Sequence, residues 1–155
     1  MSERQIPTLY EWMGGMPAIE RLLTAFYERV PNDPMLAPLF AQMSPEHAQH
    51  VAMFVAEVFG GPLAYSREYG GHPNMVRRHV GRSLTDAQRK RWMTLLLECA
   101  DDVKIPDDPE FRSAFMAYVE WGTRLAMQNS QPGAEVPQEA PVPHWGWGEA
   151  PPYTP

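Results

Sequence analysis

Ile19, Leu22, Leu23, Phe26, Tyr27 and Val30 stand at offsets 0, 3, 4, 7, 8 and 11. That spacing lays their side chains along one stripe of an α-helix. The stripe is bracketed by Gly14-Gly15 before it, Pro17 in its first turn and Pro31, which stops it. Three more stretches carry the same period. His47, His50, Val51, Phe54, Val55, Val58 and Phe59 run at offsets 0, 3, 4, 7, 8, 11 and 12, between a start at Ser44-Pro45 and a stop at Gly60-Gly61-Pro62. Trp92, Leu95, Leu96 and Cys99 follow "SLTDAQ", where Thr85 or Ser83 can cap a helix. Phe111, Ala114, Phe115, Tyr118, Val119, Gly122, Leu125 and Ala126 follow "IPDDPE", whose aspartates suit a helix N-terminus. No stretch alternates as a strand does. Four such stripes predict an all-α domain that buries them against one another.

With 155 residues the chain suits one domain. The helical stripes assign the folded part to residues 1–129. Seven prolines fall within residues 129–155, so 130–155 reads as a proline-rich, extended or disordered tail. Trp145, Trp147 and Tyr153 are unusual in a plain linker and suit docking on the domain or on a partner. A second irregular region, Gly60 to Ser83, lies between the second and third stripes. A connection this long inside a compact domain is usually functional. It holds His72 and His79, two of the five histidines.

The net charge of −6 gives no nucleic-acid footprint. Arg77, Arg78 and Arg82 form a small cluster, suited to a solvated loop or to an anion. The single cysteine, Cys99, permits no intramolecular disulfide, and a reducing, cytoplasmic setting is expected. The opening "MSERQIPTLYEW" lacks the pattern of a signal peptide, and no apolar run is long enough to span a membrane. His47 and His50 stand three apart but have no acidic or thiolate partner nearby in sequence, so zinc is disfavoured. Cys99 lies on an apolar stripe and reads as an inert thiol. Nucleophile elbows, phosphate loops and dinucleotide fingerprints are absent. One chemistry does need a single protein imidazole inside a large apolar envelope, and that is haem iron. The second helix, with His47, Val51 and Phe54 on one face, suits a wall of such an envelope. Ten Met and five Trp suit it too, although any helical core accepts them.

The stretches "LYEWMGGMPAIERLLTAFYERVPNDPMLAPLF", "FGGPLAYSREYGGHPNMVRRHVGRSL" and "RKRW" resemble the group II truncated haemoglobins. The resemblance runs from about Thr8 to Asn129. Tyr27 precedes the aromatic Phe40 by thirteen residues, and Trp92 follows His79 by thirteen. The resemblance implies a truncated globin fold, a two-over-two helical sandwich around haem b. It implies that His79 is the iron's proximal ligand and that His72 shapes the loop. Arg78 and His50 would reach the haem propionates, and Arg78 is apt because a guanidinium pairs a carboxylate in two-pronged fashion. Phe40, Val51 and Phe54 would pack on the haem, and Tyr27, His47 and Trp92 would face the bound ligand, with His47 able to add a hydrogen bond, swing as a gate or bind the iron. This chain departs from the pattern in having Phe40 where many relatives carry Tyr, His47 where a small residue is common, and one extra glycine in "YGGHP".

The function implied is a haem protein that reversibly binds O2, NO and CO, as a monomer or weak homodimer. Two other readings share the site. One is NO dioxygenation or a peroxidase-like reaction supplied by a separate reductase. The other is gas or redox sensing through the tail.

Overall fold

A computed structural model of the chain describes residues 5–135 and 141–152, with the side chains of residues 72–74 set aside. The described residues are all-helical, without strands. Helices α1 (Leu9–Met13) and α2 (Gly15–Arg29) lead into 3-10 turns at Val30–Asn32 and Ala37–Phe40. Helix α3 (His47–Val58) is followed by α4 (Ala64–Tyr69) and α5 (Gly71–Arg77), then by α6 (Asp86–Asp102) and α7 (Pro109–Asn129). Helix α2 packs on α3 and on α6, and α6 packs on α7. Two helix pairs thus face each other across one core.

Local chemistry accounts for the boundaries. Thr85 accepts the Gln88 N–H at 3.1 Å while the Gln88 side chain accepts the Thr85 N–H at 2.9 Å, so a capping box opens α6. Asp108 caps α7 by accepting the Phe111 N–H at 3.0 Å, with Pro109 in the first turn. Its other carboxylate oxygen accepts the Trp12 indole N–H at 2.9 Å, which ties α1 to α7. Gly14 separates α1 from α2 at φ +114°, a left-handed conformation that a side chain resists. At Gly61 a Cβ would lie 2.7 Å from the Tyr10 ring and 2.8 Å from the Ala56 carbonyl, so only glycine fits there. The stripes that mark the helices in the sequence are the core. Ile19, Leu22, Phe26, Val58, Phe59, Cys99 and Phe111 are fully buried, each large side chain contributing roughly 1.5–3 kcal/mol.

Two expectations change, and the tail takes one of the alternatives open to it. Gly60 to Ser83 is not structureless, because α4 and α5 occupy much of it. Each is under two full turns, too short for a period to show. Ser44 does not cap α3. The helix begins at His47, whose N–H bonds the Ser44 carbonyl at 3.1 Å, and Glu46 stands at the cap position without a side-chain bond. The tail is extended at 141–152, and it is seated on the domain. Val142 is buried, the Trp145 N–H donates to the Val58 carbonyl at 2.8 Å, and the Trp147 indole N–H donates to the Pro7 carbonyl at 2.8 Å. Tyr153 lies outside the described residues.

A buried charge fixes the turn that follows α2. Asp33 is 7 % exposed and accepts the Met35 and Leu36 N–H groups at 3.1 Å each and Arg91 Nε at 2.5 Å. Burial raises its pKa, but the Arg91 partner and the two amides outweigh that and hold it below the usual carboxylate range. The bond joins the segment leading to Phe40 to the helix that carries Trp92.

Candidate functional site

A cavity of about 250 Å³ opens between the end of α2, the Ala37–Phe40 turn, α3, the segment after α5, α6 and α7. Its wall is mostly aliphatic and aromatic. Val51 and Phe54 face it from α3, Leu36 and Phe40 from the turn, and Val119 and Tyr118 from α7. Tyr27, His47, His50, Arg78, His79 and Trp92 line the same cavity. Every site residue expected from the sequence therefore meets at one place. The His72 side chain lies outside those described.

His79 stands just past α5 in a turn anchored at both ends. Its N–H bonds the Val76 carbonyl at 3.0 Å. After it, the Ser83 N–H donates to the Ser130 carbonyl at 2.9 Å and the Leu84 N–H to the Ser130 hydroxyl at 2.9 Å. Imidazole Nδ1 lies 2.9 Å from the Met75 carbonyl, which can only accept. Nδ1 therefore carries the proton, and Nε2 keeps its lone pair with no hydrogen-bond partner among the described residues. Burial pushes the pKa down, the Met75 bond resists, and Arg82 and Arg78 push the same way as burial. The ring is a neutral imidazole with one free nitrogen.

Tyr27, Phe40 and His47 form a second cluster, packed edge to face with centroids 4.9–5.9 Å apart. Tyr27 Oη lies 3.2 Å from His47 Nε2. Burial pushes the phenol pKa well above its ordinary value, so the hydroxyl keeps its proton. Burial first, then the charges of Arg78, His50, His79 and Arg82, push His47 down to about 4. The pair is thus two neutral groups sharing one hydrogen bond. Trp92 completes the side, edge-on to Phe26 at 5.1 Å. Its indole N–H makes no hydrogen bond to a described residue, which leaves a donor in an apolar cavity.

The His47 value predicts a pH effect. A base whose folded pKa is lowered binds its proton in the unfolded chain first. Stability contributed by His47 is therefore full above about pH 6.5 and falls as pH drops toward 4. An NMR titration of the apoprotein imidazoles should give His47 a midpoint near 4; a midpoint near 6.5 would mean the ring is solvated and the Tyr27 bond is not formed.

Cations gather at the cavity rim. Arg78 is exposed and makes no ion pair with a described residue. Arg82 donates to the Arg78 carbonyl at 2.7 Å. His50 packs against Tyr69 of α4 with centroids 4.4 Å apart and the rings tilted by 46°, so that ring is held by an aromatic neighbour.

Several lining residues lie outside the set expected from the sequence, and two of them, Arg89 and Tyr118, bear on the geometry. Arg89 is 6 % exposed and bonds Asp86 at 2.9 Å and Glu120 at 3.0 Å, bridging α6 to α7 beside the cavity. A charged residue within an otherwise polar helical stretch gives no local sign of burial. Tyr118 stands on the apolar stripe of α7, which by spacing alone faces the core. The signal that marks it is Gly122 one turn later, where a Cβ would lie 3.6 Å from the Tyr118 ring and narrow the space.

A family model described as bacterial-like globin matches residues 8–123. The chain belongs to the bacterial-like globin family. This globin is 32 % identical over 89 residues to a group 2 truncated haemoglobin of Bacillus subtilis, covering 57 % of its own length and 67 % of the relative's. It is 30 % identical over 129 residues to two-on-two hemoglobin-3 of Arabidopsis thaliana, covering 76 % and 72 % of the two chains. Its fold is similar to the crystal structure of the group II truncated haemoglobin from Bacillus anthracis, with TM-score 0.73, 26 % identity, and 86 % and 100 % of the two chains covered. The globin is thus a truncated, two-on-two haemoglobin of group II, and haem binding comes with the family. The residues present fit that group. Haem iron takes an imidazole nitrogen with a free lone pair, the porphyrin takes an apolar enclosure, and its propionates take cations at a rim. His79 Nε2, the cavity wall and Arg78 offer those three features. Among the described residues, no helix is long and apolar enough to cross a membrane.

Proposed function

We propose that this globin holds haem b through His79 Nε2 and reversibly binds a diatomic gas, O2 foremost, on the side bearing Tyr27, His47 and Trp92. The observation that carries this is the paired arrangement at His79. Nδ1 is committed to the Met75 carbonyl at 2.9 Å, so Nε2 is oriented with its lone pair available. Bound haem supplies the coordination chemistry for the gas, and the chain supplies the rest. Trp92 presents an unshared N–H to charge developing on the ligand. Tyr27 would present a hydroxyl that stays protonated, its oxygen accepting from neutral His47 in the Nε2–H tautomer so that its own proton faces the ligand. The apolar wall excludes water, which strengthens each of those hydrogen bonds. Arg78 at the rim would pair a propionate, and Phe40, Val51 and Phe54 would pack against the porphyrin.

Titrating the purified apoprotein with hemin tests this reading. One equivalent should saturate a Soret band, and the reduced protein should shift its spectrum on adding O2 or CO. Hemin uptake without a saturating stoichiometry, or a reduced spectrum indifferent to CO, would overturn it.

A further inference from the structure

Residues 141–152 lie beyond the 8–123 covered by the family match, yet they are built against the cavity's back wall. The Trp145 ring packs on Tyr118 with centroids 5.6 Å apart and on Trp121 at 5.7 Å. Both of those residues line the cavity. The Trp145 backbone is pinned to the Val58 carbonyl at the end of α3. Upstream, Val142 is buried, and its methyl group lies 3.8 Å from where a Cβ on Gly71 would stand, at the start of the helix that leads to His79. Downstream, Trp147 is anchored on Pro7 and packs edge-on against Trp12 at 5.6 Å. The segment therefore straps α1, α3, α5 and α7 together.

Tyr118 depends on that strap. One helical turn along, Gly122 offers no side chain to hold the ring from its own helix. Phe59 meets it edge-on at 5.4 Å, and Trp145 covers another side. An aromatic ring removed from such a packed cluster leaves a void that neighbours fill by shifting. Here the neighbours able to shift are cavity-lining side chains.

We propose that Trp145 is a positioning residue of the haem site: seated on Tyr118 and Trp121, it holds the α7 wall in place, so that the C-terminal strap governs haem retention and ligand escape. This rests on the haem reading above. The test uses the full chain as wild type, Trp145→Phe, Trp145→Leu and Trp145→Ala. Hydrogen exchange on the wild-type apoprotein reads the seat without haem, and the Trp145 amide should be strongly protected. Hemin transfer to excess apomyoglobin and CO rebinding after flash photolysis then read the wall. Trp145→Ala should release hemin about fivefold faster or more and lower the fraction of CO that rebinds without escaping, with Trp145→Leu intermediate. Trp145→Phe should stay within about twofold of wild type, since a ring still fills the site. A Trp145 amide exchanging at the free-peptide rate would overturn the proposal. So would a Trp145→Leu variant, folded by circular dichroism, with wild-type hemin release and CO kinetics. If Trp145→Ala does not fold, Trp145→Leu against Trp145→Phe decides the matter. A protected Trp145 amide in a wild-type protein that takes up no hemin would show instead that the haem reading is what failed.

Discussion

Replacing His79 with alanine should raise the dissociation constant for hemin at least about a hundredfold, or roughly 2.7 kcal/mol. The imidazole is the one cavity-lining group with a neutral, hydrogen-bond-oriented nitrogen and no described partner on its free side. His47 does not substitute for it, because its Nε2 is engaged by Tyr27. His50 does not either, because its ring is packed against Tyr69 at the rim and no hydrogen bond among the described residues orients its nitrogens. The fold itself should survive. His79 sits in a turn at the cavity, outside the apolar core cluster, and the anchors on Ser130 do not use its side chain. Circular dichroism and a hemin titration on the same sample check both halves. Unchanged helicity with sharply weakened hemin uptake is expected. Wild-type affinity would move the ligand elsewhere.

The second large effect concerns the donors. Trp92→Leu should raise the O2 dissociation rate by about tenfold, since a hydrogen bond in a dry site contributes on the order of 1–3 kcal/mol and 1.4 kcal/mol is a factor of ten. Tyr27→Phe should raise it less, by a few fold. The reason is local. The Trp92 N–H has no described partner and is wholly available, whereas the Tyr27 hydroxyl is shared with His47 at 3.2 Å and must divide its bonding. Removing that hydroxyl also frees His47 Nε2, which takes up part of the role. Stopped-flow displacement of O2 by CO measures both rates. Equal rates for wild type and both variants would place the donors outside this pair, and a larger effect for Tyr27→Phe would reverse the assigned order.

The long helices were legible because α2, α3 and α7 carry their stripes for three turns or more and α6 carries a shorter one behind a clear cap signal. Helix α2 extends from Gly15 to Arg29 where the stripe and its Gly and Pro brackets place it, and the Thr85 cap of α6 is where "SLTDAQ" signals it. Helices α1, α4 and α5 were not legible. They are short, they are bounded by left-handed glycines at Gly14 and Gly70, and they hold too few apolar positions to show a period. The strap was legible only as tryptophans suited to docking, and its seat was not. Its bonds join Trp147 to Pro7 and Trp145 to Val58, so no local pattern encodes them, and its prolines resemble those of a free linker. Within the site, periodicity identifies the inward stripe but does not separate residues that face the cavity from those that face the core. Tyr27 and Phe26 are neighbours on one stripe, and only Tyr27 lines the cavity. The resemblance to truncated haemoglobins separated them where spacing alone did not. Arg89 shows the converse limit, because its burial depends on Glu120 from another helix.

The central claim is that His79 Nε2 is the nitrogen that ligates iron. Chemical rescue tests it most directly. His79→Gly should leave a hole where the imidazole stood, so its ferrous electronic spectrum with hemin should lack the imidazole-ligated form. Free imidazole in the buffer should restore hemin affinity and the wild-type ferrous spectrum, as the small molecule occupies the vacated position. A His79→Gly protein that shows the wild-type ferrous spectrum and affinity before imidazole is added would contradict the account.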